Sequence, residues 1–160
     1  MPAYIGLGSN LGGREEYLRT AIEMIAKTER VNRASSIYET DPMGRLDQPT
    51  FLNMVIEVET DKTPIDLVTH LQSVEHSLHR ERPFPNAPRT IDLDLLLYGQ
   101  VVEDDPEATI PHPRMHERAF VLVPLAEIVP DIVVPTLGKT AGELLDALGD
   151  TEGVTYWGEF

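Results

Sequence analysis

The sequence predicts a single two-layer α+β domain in which helices pack against one face of a mainly antiparallel sheet. Three observations lead to this fold class. Strand-like and helix-like segments follow one another in the order β-α-β, β-α-β. No internal repeat or linker divides the 160 residues, and 41% hydrophobic residues suffice for one ordinary core. We therefore treat residues 1–160 as one domain.

The first half of the chain is predicted to form a strand, a helix, a second strand and a loop. Residues 3–8 alternate as a strand and then meet a glycine-rich turn. Residues 14–30 carry one apolar stripe at three- and four-residue spacing, which predicts a helix. A strand is predicted over 33–40, and two prolines and a glycine make 41–49 a loop. The glycines of residues 6–13 match neither a P-loop nor a dinucleotide fingerprint, so we interpret them as permitting the turn.

The second half repeats the strand-helix-strand order and then adds two helices. A strand is predicted over 51–59 and a helix over 64–79, with Pro64 in its first turn. Three prolines make 82–88 a second loop. An apolar strand is predicted over 90–98. Helices over 119–127 and 141–148 complete the set, and we expect the tail after Gly149 to be loosely held.

Charge and composition exclude several classes of function. The net charge is −14, from 27 acidic and 13 basic residues, so the protein repels nucleic acid and anionic membranes. It has no cysteine, so a metal must bind to oxygen or imidazole. No leader segment and no apolar run of about 20 residues is visible. We expect a cytoplasmic monomer that binds neither nucleic acid nor membrane.

Two aspartates in the apolar strand are the strongest chemical signal. Strand geometry turns Ile91, Leu93, Leu95 and Leu97 to one face and places Asp92 and Asp94 side by side on the other. Their Cα atoms should lie about 7 Å apart, close enough for the carboxylates to repel each other unless a cation lies between them. Mg²⁺ suits two carboxylates together with substrate phosphates. The bare pattern equally fits a solvated acidic strand face.

Basic residues flank the two aspartates. The five arginines concerned are Arg80, Arg82, Arg89, Arg114 and Arg118. Guanidinium groups suit phosphate oxygens and would neutralise a polyphosphate that the acidic protein otherwise repels. The alternative is ordinary salt bridging to surplus acids.

Several other side chains are candidates for ligand contacts. His112, between two prolines, could donate to a phosphate oxygen, although a lone histidine is more often structural. Phe51 and Phe120 could sandwich a flat ring whose edge Asn53 would read by hydrogen bonds. Core packing is the simpler interpretation of each phenylalanine taken alone.

Several ordered motifs together resemble the 6-hydroxymethyl-7,8-dihydropterin pyrophosphokinases of folate biosynthesis. The resemblance runs from Ala3 to about Leu148. Its motifs are Tyr4-Ile5-Gly6-Leu7-Gly8-Ser9-Asn10-Leu11, Asp47-Gln48-Pro49 with Phe51-Leu52-Asn53, Pro88-Arg89-Thr90-Ile91-Asp92-Leu93-Asp94-Leu95, Pro111-His112, Arg118-Ala119-Phe120 and Pro124-Leu125. It implies a ferredoxin-like fold and the transfer of diphosphate from ATP to the pterin alcohol, with release of AMP.

The resemblance also implies roles for individual residues. Asp92 and Asp94 would bind two Mg²⁺ ions. The residues contacting nucleotide or phosphate would be Gln72, Glu75, Arg80, Arg82, Arg89, His112 and Arg118. Those lining the pterin pocket would be Thr40, Pro42, Met43, Gly44, Phe51, Asn53 and Phe120. The sequence departs from the best-known family pattern at residues 84–89, which lack one arginine and a tryptophan, and at Pro113, which replaces an aromatic residue.

Two rival functions remain open from the sequence. A metal-dependent phosphohydrolase could use the same aspartates and would release phosphate or pyrophosphate without a pterin acceptor. A ferredoxin-like regulatory module could bind a small metabolite and catalyse no reaction.

Overall fold

The computed structural model describes residues 1–10, 12–41, 49–78 and 91–160. Its ten strands are β1 Pro2–Ser9, β2 Arg30–Ala34, β3 Ile37–Thr40, β4 Phe51–Glu59, β5 Asp92–Tyr98, β6 Glu103–Asp105, β7 Ala108–Ile110, β8 Val133–Val134, β9 Lys139–Thr140 and β10 Val154–Gly158. Its four α-helices are α1 Arg14–Ala26, α2 Pro64–Leu78, α3 Ala119–Ile128 and α4 Ala141–Leu148, and a short 3₁₀ turn covers Met115–Glu117. None of these helices is long and apolar enough to cross a bilayer.

The main sheet has six strands and is antiparallel throughout its described pairings. The order across it is β10-β3-β4-β1-β5, and β2 pairs with β4 beside β3. The long strand β4 therefore carries β1 along one side and β2 and β3 in succession along the other. Strand β5 lies at the end of this order, next to β1. The predicted mainly antiparallel α+β class is confirmed.

One face of the sheet carries the larger hydrophobic core, against α1 and α2. Alternate residues of the strands, among them Ile5 of β1, Ile56 of β4 and Leu93 of β5, pack with Leu18 of α1 and Leu71 of α2. Period-two alternation in the strands and a 3.6-residue stripe in the helices produce this layer.

Helices also cover part of the opposite face, so the expectation that they occupy one face alone is wrong. A second cluster joins Tyr4 and Val55 from the sheet to Leu122 and Leu125 of α3 and Leu144 of α4. Tyr4 and Val55 alternate with the first cluster along β1 and β4, which places the two clusters on opposite sides of the sheet. The part of this face that α3 and α4 leave open is where the candidate site lies.

A register shift changes one face assignment in β5. Tyr4 pairs with Leu97 while Ile5 pairs with Leu95, so Leu96 is the extra residue. Leu97 consequently packs with the α3 and α4 cluster instead of sharing a face with Leu93 and Leu95, contrary to the prediction.

The strand predicted over 33–40 is two strands, because two buried serines interrupt it. Ser35 Oγ accepts a hydrogen bond from the Val55 amide, 2.9 Å away. The Ser36 amide donates to Glu127 Oε1 of α3 at 3.0 Å. These side-chain bonds interrupt the regular pairing with β4 at the residues that separate β2 from β3.

Other boundaries also differ from those predicted. Helix α1 ends at Ala26 instead of residue 30, because the chain turns there and Glu29 enters a buried polar cluster. The hairpin β6–β7 was not predicted. Residues 154–158, expected to be loosely held, form β10 and pair with β3.

Candidate active site

A cleft of about 1070 Å³ opens over β1, β4 and β5 and reaches past the outer strand β5 to α2. Its volume is at the upper end of the range for small-molecule sites, enough for more than one small ligand. Every predicted site residue that the structure describes lines this cleft: Thr40, Phe51, Asn53, Gln72, Glu75, Asp92, Asp94, His112, Arg118 and Phe120. The fold thus gathers residues that lie up to 80 positions apart in the sequence.

Asp92 and Asp94 occupy the cleft-facing side of β5. They pair with Gly8 and Gly6 of β1, whose lack of side chains leaves space beside the carboxylates. Asp92 is half-buried and Asp94 is exposed. Leu93, between them, belongs to the core on the other face. Strand β5 therefore presents two carboxylates to one open cleft, while the Leu93 side chain anchors the strand in the core.

Helix α2 supports the same stretch of β5 through Glu75. Its Oε2 atom accepts a hydrogen bond from the Leu93 amide at 2.8 Å. Leu93 lies between the two aspartates, so this bond holds the backbone from which both carboxylates project. Gln72, one turn earlier on α2, is exposed and lines the cleft beside Glu75.

His112 is fixed close to Asp94 by its backbone. Its amide donates to the Leu96 carbonyl at 2.9 Å, and the preceding Ile110–Pro111 peptide bond is cis. The Nδ1 atom accepts a hydrogen bond from the Arg114 amide at 3.3 Å. Burial lowers the pKa of His112; the negative charge of Asp94 raises it, and the positive charges of Arg118 and Arg114 lower it. Because Nδ1 accepts a hydrogen bond, the proton of a neutral imidazole lies on Nε2, and His112 can donate from that atom.

Asn53 and Thr40 form a buried hydrogen-bonded pair at another wall of the cleft. Asn53 Nδ2 donates to Thr40 Oγ1 at 2.7 Å, and both residues are buried. A Cβ atom on Gly8 would lie only 2.7 Å from Asn53 Oδ1. Gly8 therefore makes room for the Asn53 amide. The amide nitrogen and oxygen are thus fixed at the cleft wall beside Phe51.

Strand β1, and not the turn, explains two of the glycines in the 6–13 segment. Gly6 and Gly8 lie within β1 and face the cleft. Gly12, with φ +68°, is the one whose backbone requires glycine for the turn. The interpretation of the segment as a pure turn motif is therefore incomplete.

The start of α3 brings a cation and an aromatic ring to the cleft. Arg118 directly precedes α3 in extended conformation, and its Cζ atom lies 5.6 Å from the centroid of the Phe120 ring. Such a distance allows a cation–π contact, which keeps both side chains at the cleft wall.

Six predicted site residues lie outside the described residues: Pro42, Met43, Gly44, Arg80, Arg82 and Arg89. The altered segment 84–89 does so as well.

The cleft is also lined by residues that the sequence did not indicate as site residues. These are Asp41 at the end of β3, Glu107 and Thr109 of the β6–β7 hairpin, and Glu117. The turn signal at Asp105-Pro106 could have indicated the hairpin. In the described parts of the chain, no three acidic or histidine side chains are close enough together to form a complete protein-only metal site.

Comparison with known families decides among the candidate functions. Residues 4–130 match the family model described as 7,8-dihydro-6-hydroxymethylpterin-pyrophosphokinase. The chain belongs to this family. The 2-amino-4-hydroxy-6-hydroxymethyldihydropteridine pyrophosphokinase of Bacillus subtilis is 44% identical over 157 residues, covering 97% of this chain and 89% of that protein. The protein of that name from Methylorubrum extorquens is 43% identical over 154 residues, covering 95% of this chain and 96% of that protein.

Longer proteins contain a similar region. The folic acid synthesis protein fol1 of Schizosaccharomyces pombe is 41% identical over 99% of this chain, which spans 22% of the fungal protein. Among solved structures, wild-type Plasmodium falciparum HPPK-DHPS superposes with a TM-score of 0.72 at 16% identity, over 91% of this chain and 44% of that one. This last likeness concerns the fold alone.

Membership identifies the chain as a pyrophosphokinase, an ATP-dependent diphosphotransferase of folate biosynthesis that acts on hydroxymethyldihydropterin. The suspected resemblance and the expected enzyme class are confirmed. The ferredoxin-like fold is likewise confirmed, with the added helices on the second face.

Proposed function

We propose that Asp92 and Asp94 hold two Mg²⁺ ions on the phosphates of ATP while the hydroxymethyl pterin binds beside Phe51, Asn53 and Phe120 in the same cleft. This proposal rests on one observation: the acid pair Asp92 and Asp94 lines the same cleft as the buried, hydrogen-bonded Asn53 amide and Thr40 hydroxyl. The product would be the pterin diphosphate, with AMP as the leaving group.

The donor set fits Mg²⁺. Two carboxylates project from one strand into an open volume, and neither a third carboxylate nor a complete protein cage is needed, because Mg²⁺ keeps waters and takes phosphate oxygens as ligands. When bound, the ions would withdraw negative charge from the transferring phosphates. The remaining contributions come from side chains of the chain itself.

The nucleotide would lie toward α2 and the histidine. Gln72 and Glu75 line that side of the cleft, and His112 can donate from Nε2 to a phosphate oxygen. Arg118 adds a permanent positive charge close by. Arg80, Arg82 and Arg89 are proposed phosphate contacts on the strength of the family resemblance.

The pterin would lie toward β3 and β4. The amide of Asn53, held by Thr40, would read the hydrogen-bonding edge of the ring, and Phe51 and Phe120 would pack on its faces. Pro42, Met43 and Gly44 are proposed to complete this pocket by resemblance.

The chemical step is an in-line attack of the pterin hydroxyl oxygen on the β-phosphorus. The bond from the β-phosphorus to the oxygen bridging it to the α-phosphorus breaks, and AMP departs with that oxygen. The hydroxyl proton passes to a water molecule or to the Asp94 carboxylate. Asp92 and Asp94 fix the position of the phosphates, while His112 and Arg118 stabilise the charge that develops on them. We further propose that the enzyme acts as a cytoplasmic monomer and does not bind nucleic acid.

The test is incubation of the protein with MgATP and 6-hydroxymethyl-7,8-dihydropterin, with AMP and pterin diphosphate quantified together. The proposal predicts equal amounts of both, and no AMP when the pterin is omitted. Release of phosphate or pyrophosphate without the pterin would favour a phosphohydrolase. Binding of ligands by folded protein without any turnover would favour a regulatory module.

A further inference from the structure

A polar contact network ties the first residue of α1 to the strands that carry the proposed pterin contacts. Arg14 Nη1 donates to Thr50 Oγ1 at 2.8 Å and to the Thr50 carbonyl at 3.0 Å. It also lies 3.3 Å from Glu39 Oε2. The Thr50 hydroxyl in turn donates to the same Glu39 oxygen at 2.9 Å. We call Arg14, Glu39 and Thr50 the clamp.

The clamp acts from behind the cleft. Glu39 pairs with Leu52, whose side chain belongs to the core under α1 and α2. The next residue, Thr40, lines the cleft on the other face. None of the three clamp residues is among the side chains that line the cleft in the described parts of the chain. A direct contact with substrate is therefore not the role that this geometry supports.

The other two clamp residues, Glu39 of β3 and Thr50 directly before β4, are each the covalent neighbour of a proposed pterin contact. Glu39 precedes Thr40, and Thr50 precedes Phe51. Thr40 pairs with Phe51 across β3 and β4 and accepts the hydrogen bond from Asn53. A shift of Glu39 against Thr50 would be transmitted to all three contacts, because backbone positions of adjacent residues move together.

We infer that Arg14 and Glu39 are positioning residues for the pterin half of the site. They hold Thr50 against the end of β3 and so keep Thr40, Phe51 and Asn53 in the arrangement that the ring requires. This inference rests on the proposed function, because it presupposes that the pterin binds at these residues. The acid pair lies on β5, which is separated from β4 by β1 in the sheet order, so we expect the clamp to affect the pterin half of the site first.

The clamp is suited to mutagenesis because it contributes little to global stability. The Arg14 and Glu39 side chains are 24% and 38% exposed, and partly exposed ion pairs add little to the free energy of unfolding. The pair formed by Arg19 and Glu15 on the same helix, at 3.0 Å and with both side chains about two-fifths exposed, provides the control. Glu15→Gln is its cleaner member, because Arg19 also lies over the Phe160 ring, 4.8 Å from the centroid.

The experiment compares Arg14→Gln, Glu39→Gln and the double variant with Glu15→Gln and Arg19→Gln. For each protein, the pterin Kd is measured by fluorescence titration, KM is measured for both substrates, and Tm is recorded. We expect Arg14→Gln and Glu39→Gln each to raise the pterin Kd roughly threefold to tenfold, with KM for ATP unchanged. The double variant should be no worse than the more affected single variant, because both changes break one network.

Three results would overturn the inference. These are an unchanged pterin Kd in both clamp variants, an equal rise in KM for ATP, and an equal effect of the control substitutions. A lower Tm with normal pterin affinity would likewise assign the clamp a purely structural role. Failure of the wild-type protein itself to bind the pterin would instead contradict the proposed function, so the two failures are distinguishable.

Discussion

The chain places acidic side chains in two very different surroundings, a closed one at Glu29 and an open one at Asp92 and Asp94. The Glu29 side chain is 1% exposed and accepts hydrogen bonds from Lys62 Nζ at 2.6 Å, from Thr60 Oγ1 at 3.1 Å and from the hydroxyl of Thr28. His70 Nε2 lies 3.7 Å from it. Burial would raise the pKa of Glu29, but the hydrogen bonds from Lys62, Thr28 and Thr60 outweigh it and lower the pKa.

The two aspartates instead face an open cleft whose volume suits small ligands. The partners of Glu29 come from the turn after α1, from the loop between β4 and α2 and from α2 itself, so its charge contributes to folding. Asp92 and Asp94 are held in place by the backbone of β5 and present their charges to whatever enters. A carboxylate buried among donors of the chain therefore serves the fold, whereas carboxylates that line an open cleft are placed to meet a ligand.

The largest effect should follow from removing one charge at the open site. Asp92→Asn and Asp94→Asn should each lower kcat by about 10²- to 10³-fold, because each variant holds Mg²⁺ less well. The phosphates then lose an anchor and their negative charge is less well neutralised. The Tm of each variant is recorded as well, so that a loss of folded protein can be distinguished from a loss of turnover. Steady-state assays at saturating Mg²⁺ measure kcat, with Asp104→Asn on the exposed β6 strand as control. Turnover near the wild-type value would contradict the assignment.

The reverse pattern is expected at the closed site. Glu29→Gln should lower the free energy of unfolding by about 2 kcal/mol, because Lys62 loses the carboxylate that pairs with it. The kcat of the folded protein should not change. Urea unfolding and kinetic assays of the same sample measure the two quantities, and Glu23→Gln on the exposed side of α1 is the control. A loss of turnover without a loss of stability would make the comparison untenable.

A smaller effect is expected at Gly8, which shapes the open site. Gly8→Ala places a Cβ atom 2.7 Å from Asn53 Oδ1, so the amide must move and the pterin Kd should rise about tenfold. Gly6→Ala is the comparison variant, because its Cβ atom would also enter the cleft, next to Asp94, but would meet Leu96 at an ordinary 3.5 Å. Pterin titrations of the two variants decide the matter. Equal affinities would show that Asn53 does not need its observed position.

The smallest effect concerns the pH dependence of stability. The folded-state pKa of Glu29 lies below its ordinary value of 4.5, so its contribution is fully present above that pH and is lost as the pH falls through the lower, folded-state pKa. The stability difference between wild type and Glu29→Gln should therefore be constant from neutral pH to about pH 5. It should shrink in more acidic solution. Unfolding curves measured across this range check the prediction. A stability difference between the two proteins that stayed the same in acidic solution would contradict it.

The sequence predicted those elements whose side chains are buried with a clear period. Helix α2 begins at Pro64 as expected, and Asp92 and Asp94 share one face of β5 because Leu93 fixes the other. Strands β2 and β10 were misjudged because most of their side chains are exposed, so backbone pairing defines them and not burial. Periodicity carries no signal for such elements.

Site residues that belong to sequence motifs could be predicted, whereas residues whose role depends only on packing could not. The acid pair and Asn53 could be named from their motifs, whereas the reason for Gly8 became visible only with Asn53 Oδ1 beside it. The clamp joins residues up to 36 positions apart, and Arg14 and Glu39 showed no sign of their pairing in the sequence. Contacts of this kind depend on strand register, which local patterns do not specify.

The most direct test of the contrast is a calorimetric titration with α,β-methylene ATP, in which the bond to be broken is blocked. We predict Mg²⁺-dependent binding to the wild type and to Glu29→Gln, and loss of that dependence in Asp92→Asn and Asp94→Asn. Equal Mg²⁺-dependent affinity in all four proteins would contradict the claim that the open carboxylates, and not the closed one, serve the ligand.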